Sequence, residues 1–246
     1  MAFKINFFKC FIIGIILFSI IPIISAANPS GPDQLTLLYN SSKAGLDSKS
    51  INVSGGYIGV LNISANNQNY KWKGFVGYVT GKYALSDGAG STIFDWTLVS
   101  SSGRIYATRN STHITWSTIN CSSFADLNNE NYLMNHTNPN DNITGTFNAI
   151  GTGNHTGFTV GTKTIAPNEC HSLKTYINNA THPNDNYFEE VALFDGYNII
   201  YSTRVEPTRP VGYNGVNYDF QMIVPENGLS TWTGSTIYYF YIELGN

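Results

Sequence analysis

Short runs of β-branched and aromatic residues, each closed by Gly, Asn, Asp or Ser, recur along most of the chain. Such runs are typical of β-strands, and stretches with the helical spacing of apolar residues are nearly absent. The clearest alternation places Tyr218, Phe220, Met222 and Val224 on one face of a strand that ends at Pro225. The pattern predicts an all-β fold, namely a β-sandwich of the immunoglobulin-like or jelly-roll-like kind.

Further strands are expected wherever the same pattern returns. They cover residues 75–80, 93–99, 104–109, 143–150, 191–194, 199–205 and 237–244. Asp195 and Gly196 lie between two of these runs and predict a tight hairpin with a type I′ turn. Residues 100–103 are expected to join another hairpin pair.

One segment departs from the strand pattern. Ser123 is a potential N-cap residue, and Asp126 follows at the spacing of a capping box. Apolar residues come after them, so one short helix is predicted near residues 123–134.

A short internal repeat bears on the domain organisation. Residues 105–109 read IYATR and residues 200–204 read IYSTR, which is consistent either with a duplication or with chance similarity between strands. A duplication predicts two related sub-sandwiches, or two equivalent hairpins in one sandwich. The expected organisation is an N-terminal arm with a first strand over residues 27–40 and a β-sandwich unit over residues 41–246, with a possible boundary near residues 122–142.

The first residues have the features of a secretory signal peptide. Lys4 and Lys9 precede an apolar run over residues 11–25, and the small residues Ala26 and Ala27 follow it. Cleavage is expected after residue 26 or 27, and the alternative is an uncleaved membrane anchor. The run is shorter than a membrane span needs and contains Pro22, so the protein is predicted to be secreted, extracellular or on the cell surface.

Cysteine usage agrees with an oxidising compartment. Cys10 leaves with the signal peptide, so the mature chain has two cysteines, Cys121 and Cys170, which are predicted to form a disulfide. A metal site that recruits His171 lacks a fourth ligand at a recognisable spacing.

Secretion also makes glycosylation sequons available for modification. Nine Asn-x-Ser/Thr acceptors lie in the mature chain. They are Asn40, Asn52, Asn62, Asn110, Asn120, Asn135, Asn142, Asn154 and Asn179.

The charge balance argues against nucleic acid as a partner. The chain has 13 basic and 16 acidic residues, and loss of Lys4 and Lys9 leaves 11 against 16, a net charge of −5. No basic stripe remains to neutralise phosphates, and no second apolar run is long enough to span a membrane.

No recognisable catalytic motif is present. Carboxylates near strands, at Asp95, Glu189, Glu190 and Asp219, include no pair that the sequence selects for glycoside hydrolysis. Glu189 and Glu190 are expected to point to opposite faces of their strand. The chain is therefore predicted not to be an enzyme and to need no cofactor.

Two Asn/Asp-rich loops are the places where calcium would bind. Asp141 and Asp185 are the first ligands to test, although each loop has only one acid. No metal site is therefore predicted. Among the aromatic residues, Trp72 and Trp96 are expected in the core, and Trp232 is expected to be exposed and available to stack on a sugar.

Several motifs resemble a group of secreted archaeal surface proteins of unassigned function. The likeness covers most of the mature chain. It is carried by residues 72–81 (WKGFVGYVTG), 94–96 (FDW), 105–109, Trp116 with Cys121, and 218–226 (YDFQMIVPE). It implies an archaeal source, an extracellular location and a β-rich fold, but no activity and no catalytic residue. In design alone the chain is similar to archaeal thread and bundling-pilus subunits, which are small β-sandwiches joined by a donated strand.

These observations predict a secreted structural or adhesive surface protein. The specific form of this prediction is a filament subunit that assembles with copies of itself by strand donation, and the alternative is an extracellular carbohydrate-binding module. Residues 28–39 are the expected donor because residues 35–39 (LTLLY) form an extended apolar run. Pairing of this run within its own sheet is the other reading.

Overall fold

Antiparallel strands make up most of the regular structure, which confirms the predicted all-β class. The computed structural model describes residues 28–98, 102–112, 114–149, 154–178 and 187–245, so the predicted signal peptide lies outside the described residues. The strands are β1 (Trp72–Gly77), β2 (Lys82–Ser86), β3 (Thr92–Thr97), β4 (Gly103–Thr108), β5 (Asn120–Cys121), β6 (Phe158–Val160), β7 (Lys163–Ile165), β8 (Ser172–Lys174), β9 (Glu189–Phe194), β10 (Ile199–Val205), β11 (Phe220–Pro225) and β12 (Tyr239–Leu244). The helices are a 3₁₀ turn (Trp116–Thr118), α1 (Phe124–Leu133) and α2 (Ile143–Thr146).

A six-stranded antiparallel sheet lies at the centre of the fold. Its order is β12-β4-β10-β9-β5, and β8 also pairs with β9. Nearly every residue of β4, β9 and β10 is buried, which requires that both faces of this central sheet be covered. Two-stranded sheets β1–β11, β2–β3 and β6–β7 complete the described strands.

The β1–β11 pair and the two helices cover the first face of the central sheet. Ile105 and Tyr201 project from this face into a hydrophobic core. Met222 of β11, Leu127 of α1 and Ile143 of α2 belong to the same core.

The β6–β7 hairpin and the 3₁₀ turn cover the second face. Tyr106 and Leu193 project from the sheet into a second core, where they meet Trp116, Val160 and Ile165. The fold therefore has three layers, with the central sheet in the middle.

The outer edge of β11 is satisfied by side chains instead of another strand. Thr203 donates its hydroxyl to the carbonyl of Gln221 (2.7 Å), and the amide of Ile223 donates to a Glu190 carboxyl oxygen (2.8 Å). The Tyr238 hydroxyl donates to the carbonyl of Pro225 (2.8 Å), a residue that has no amide hydrogen to pair. These bonds leave fewer unpaired backbone groups in the interior.

Helix α1 confirms the prediction near residues 123–134. The Ser123 side chain accepts from the Asp126 amide, and the Asp126 carboxylate accepts from the Ser123 amide, which forms the expected capping box.

The strand predicted at residues 143–150 is wrong at its start, because residues 143–146 form helix α2. The Asn142 side chain accepts a hydrogen bond from the Gly145 amide (2.6 Å) and so caps this helix. Ile143 and Phe147 lie one helical turn apart and are both fully buried. Their spacing fits a helix as well as a buried strand, so the apolar run alone did not distinguish the two.

The predicted hairpin at Asp195 and Gly196 is confirmed, but the turn type is wrong. Strands β9 and β10 pair antiparallel, and the Asp195 carboxylate accepts from the amides of Tyr197 and Asn198. Among the turn residues only Gly196 has a positive φ, of 103°, whereas a type I′ turn needs two.

The two copies of the repeat are neighbours in one sheet. Strands β4 and β10 pair with Tyr201 opposite Ala107, yet the equivalent residues Tyr106 and Tyr201 lie in different cores. Strand β10 follows β9 in a hairpin, whereas β4 pairs with β10 and β12 and β3 pairs with β2. The expected pairing of the strands around residues 100–103 is therefore wrong.

The N-terminal arm contacts the other edge of the central sheet. Pro29 is buried, and Ser30 pairs with Ile242 of β12 through two backbone hydrogen bonds of 3.1 and 2.8 Å. Residues 35–39, expected to form a first strand, have no regular secondary structure, and the first strand of the described chain is β1.

Reduction of the disulfide should destabilise the second core. Cys121 and Cys170 are bonded, with a Cα–Cα distance of 4.8 Å and 49 residues of sequence separation. A loop of this length is worth about 4 kcal/mol by the chain-entropy relation. We expect a clear drop in the melting temperature on reduction, measured by circular dichroism, and no free thiol in the oxidised secreted protein. Alkylation of both cysteines without reductant would contradict this.

Candidate functional site

Glu189 and Glu190 point to opposite faces of the central sheet, as predicted. Glu189 accepts hydrogen bonds from the Thr156 amide (2.9 Å) and hydroxyl and lies 3.6 Å from the Arg104 guanidinium. Glu190 faces β11, where it accepts from the Ile223 amide. Burial raises the pKa of Glu190 well above its usual range and so favours the neutral carboxyl. The two carboxyls lie on opposite faces of the sheet and therefore cannot act together on one bound substrate.

The other two candidate acids are held by basic side chains. Asp95 forms an exposed ion pair with Lys82 at 2.5 Å. Asp219 accepts from the Val79 amide (2.7 Å) and from the Arg209 guanidinium (2.5 and 3.2 Å). Each carboxylate therefore has a structural partner, and the structure brings none of the four candidate acids together as a hydrolytic pair.

Arg104 attaches the second covering layer to the central sheet. Its guanidinium donates to the hydroxyl and the carbonyl of Ser202 (2.9 and 3.1 Å) and lies over the Phe158 ring of β6, 3.8 Å from the centroid. Burial lowers the pKa of Arg104. With Glu189 and Thr156 this arginine forms a buried polar network between the layers.

Glu206 is a buried carboxyl at the end of β10. It accepts from the amide of Phe188 (2.9 Å), a fully buried residue with a φ of 51°, and it lies 3.8 Å from Arg204. A bulky residue rarely adopts this left-handed conformation, so the carboxyl holds a strained backbone position. Burial raises the pKa of Glu206 from 4.5 to about 7, against the opposing effect of Arg204.

Stability should fall as the pH rises through the pKa of Glu206. Because the folded-state pKa lies above the unfolded value, the favourable contribution is complete below pH 4.5 and is lost as pH rises to about 7. The expected loss is about 3 kcal/mol. Glu206→Gln should reduce this slope in urea unfolding series, because the amide oxygen still accepts from Phe188.

Glu169→Gln serves as a control for this prediction because Glu169 is an exposed carboxylate. It should keep the wild-type slope. A Glu206→Gln variant with an unchanged slope would show that Glu206 does not titrate in this range.

No metal site is formed within the part of the chain that the structure describes, where no three His, Cys, Asp or Glu side chains cluster. Asp141 instead pairs with Lys71 at 3.1 Å, and Asp185 lies outside the described residues. The buried ring of His155 accepts from the Cys170 amide and contacts the Thr156 carbonyl (2.8 Å), and burial lowers its pKa. It is a structural histidine.

The sequons differ in exposure. Asn40, Asn52, Asn62 and Asn120 are exposed; Asn110, Asn135, Asn142 and Asn154 are partly buried; Asn179 lies outside the described residues.

Of the three tryptophans whose exposure was predicted, two lie as expected and one does not. Trp72 packs against the first core, as predicted, and donates its indole N–H to the Asp141 carbonyl (2.9 Å). The expectation for Trp96 is wrong, because this ring is 51% exposed on β3. Trp232 is 44% exposed, in agreement with the prediction, and its side chain hydrogen-bonds to Glu226.

A polar cleft of about 290 Å³ lies between α1 and the β9–β10 turn. Arg109 and Glu130 line it and form a two-bond ion pair of 3.0 and 2.6 Å. Asn110 donates to Asn198 across the rim (3.2 Å), and Tyr197 beside them is 85% exposed. The cleft thus combines amides, a charged pair and an accessible ring.

The most unusual surface is the outer segment, residues 31–70. It contains no helix or strand, and every residue from 33 to 70 is exposed. Twelve large apolar or aromatic side chains between residues 35 and 63 of this segment are each at least 60% exposed. They are Leu35, Leu37, Leu38, Tyr39, Leu46, Ile51, Val53, Tyr57, Ile58, Val60, Leu61 and Ile63.

A second exposed apolar surface lies on the β2–β3 ribbon. The register places Tyr83 opposite Trp96 and Leu85 opposite Phe94, so these four side chains share one face. They are 48–58% exposed. The opposite, polar face carries the pairs Lys82–Thr97 and Ala84–Asp95, and no residue of β2 or β3 contributes to either hydrophobic core.

Part of the outer segment was missed by the reasoning from sequence, which selected residues 35–39. Residues 57–63 (YIGVLNI) are equally apolar and follow Gly55 and Gly56. A signal was present, because no charged residue occurs between Ser50 and Tyr70. An uncharged, strand-prone run of this kind is a recognised determinant of intermolecular pairing.

Comparison with protein-family models, curated proteins and solved structures finds no match to this chain. Within the described ranges no helix is long and apolar enough to cross a membrane.

Proposed function

We propose that this chain is a secreted structural or adhesive protein of an archaeal cell surface, and that it assembles with copies of itself by strand donation. The outer segment carries the proposal. Its twelve apolar side chains remain in solvent while the rest of the chain builds two cores of its own. Large exposed apolar surfaces on soluble proteins commonly mark a place where something binds.

The energetics favour a partner. Burying one large apolar side chain contributes about 1.5–3 kcal/mol, so even partial burial of this segment is enough to drive association. Extended backbone without strand partners can add to the sheet edge of another subunit, which supplies hydrogen bonds together with apolar contacts.

The location is supported by separate features. The Cys121–Cys170 disulfide is compatible with an oxidising compartment. The predicted signal peptide, the exposed sequons and the resemblance to archaeal surface proteins also support an extracellular location. Glycans on exposed asparagines would help to keep a surface with few charges hydrated.

Replacing residues 34–68 with a Gly/Ser sequence of equal length should abolish assembly. The melting temperature should stay within about 2 °C, because exposed side chains contribute little to the free energy of unfolding. Light scattering after size-exclusion chromatography and negative-stain microscopy measure assembly, on protein secreted by an archaeal host.

A matched variant replaces only the three charged residues within residues 34–68, Lys43, Asp47 and Lys49, with serine. It should still assemble. A wild-type protein that stays monomeric at high concentration in native salt, or a Gly/Ser variant that still forms filaments, would remove the proposal.

Glycan binding in the polar cleft is the second candidate function. It is favoured by the 85% exposed ring of Tyr197 beside the Asn110 and Asn198 amides. On a glycan array, wild-type protein should bind a defined sugar, and Tyr197→Ala should weaken binding about tenfold by loss of stacking. Tyr132→Ala removes a similarly exposed ring outside the cleft and should have no effect. An array without a hit would discard this candidate.

A further inference from the structure

The β2–β3 ribbon lacks the support that a two-stranded sheet normally needs. Its strands pair only with each other among the described residues, and all eleven positions are exposed. Isolated two-stranded hairpins are at best marginally stable in water. The apolar face of Tyr83, Leu85, Phe94 and Trp96 therefore calls for a covering partner.

The two edges of the ribbon differ. Strand β3 contains an extra residue, Ile93, because Leu85 pairs with Phe94 and Ser86 pairs with Thr92, whereas β2 runs without an extra residue over Lys82–Ser86. Bulges hinder the pairing of an edge strand with another chain. The outer edge of β2 is therefore the better acceptor.

Residues 57–63 of the outer segment match this edge. Their seven residues are long enough to pair with all five of β2, and they carry no charge. In an extended conformation Tyr57, Leu61 and Ile63 fall on one face, and Ile58, Val60 and the sequon residue Asn62 fall on the other. The first face can continue the apolar face of the ribbon, which leaves a glycan on Asn62 on the opposite side.

We propose that residues 57–63 of one copy add to the β2 edge of the ribbon in a second copy, and that their Tyr57, Leu61 and Ile63 side chains extend its Tyr83–Leu85–Phe94–Trp96 face. This inference rests on the proposed function and specifies its donor and its acceptor. The second copy is the chosen occupant because each chain carries one uncharged donor run and one uncovered ribbon. Donor and acceptor are different surfaces, so the contact is head-to-tail, and it generates an open filament wherever the rotation between copies does not close a ring.

A mixing experiment tests the pairing. Leu61→Lys blocks the donor and leaves the ribbon intact, whereas Phe94→Lys blocks the ribbon and leaves the donor intact. Each variant alone should remain monomeric by size-exclusion chromatography with light scattering. Mixed together, they should form a 1:1 dimer that does not extend, because only one complementary pair of surfaces survives.

Ala84→Lys, on the polar face of the ribbon, is the matched control and should form filaments like wild type.

The outcomes separate this inference from the function on which it rests. Filaments of wild type that persist in either lysine variant would overturn the pairing while leaving self-assembly in place. Two monomeric variants that fail to dimerise on mixing would also overturn it, provided that both melt like Ala84→Lys. Wild type that never assembles would overturn the inference and the proposed function together.

Discussion

Burial of both faces of the central sheet is the constraint from which the rest of the structure follows. Strands β4, β9 and β10 are apolar or buried at nearly every position, so they are stable only between two covering layers. The chain supplies those layers from distant segments, namely β1, β11 and the two α-helices on one side and the 3₁₀ turn and the β6–β7 hairpin on the other. Most of the described chain beyond residue 71 is therefore used to form the central sheet and the two layers that cover it.

Buried polar side chains fix the position of each layer. On the first face Glu190 and Thr203 hold the edge of β11, and on the second face Arg104 and Glu189 hold the β6–β7 hairpin and the segment before it. Apolar contacts supply most of the free energy but are not directional, whereas these hydrogen bonds select one register. The acidic residues that look catalytic in the sequence therefore have structural partners.

The sequence predicted features that depend on local chemistry. The Ser123 capping box, the hairpin at Asp195 and the disulfide of Cys121 needed only neighbouring residues or a residue count. The prediction of a strand failed at residues 143–146, because apolar residues four positions apart fit a helix or a buried strand equally well. It also placed Trp96 in the core, because strand periodicity shows that one face is apolar but not whether anything covers that face. The strands of three residues or fewer are too short to produce a periodic signal.

The pairing of Ser30 with Ile242 makes the outer segment a loop anchored at both ends. One end is held by two backbone hydrogen bonds at the edge of β12, and the other continues into β1, which pairs with β11 along six residues. Tension along such a loop acts equally on both anchors, one of which is a single residue pair and the other a pairing of six residues. The weaker anchor yields first and releases chain length, so the loop lengthens under load before the layered core is pulled apart.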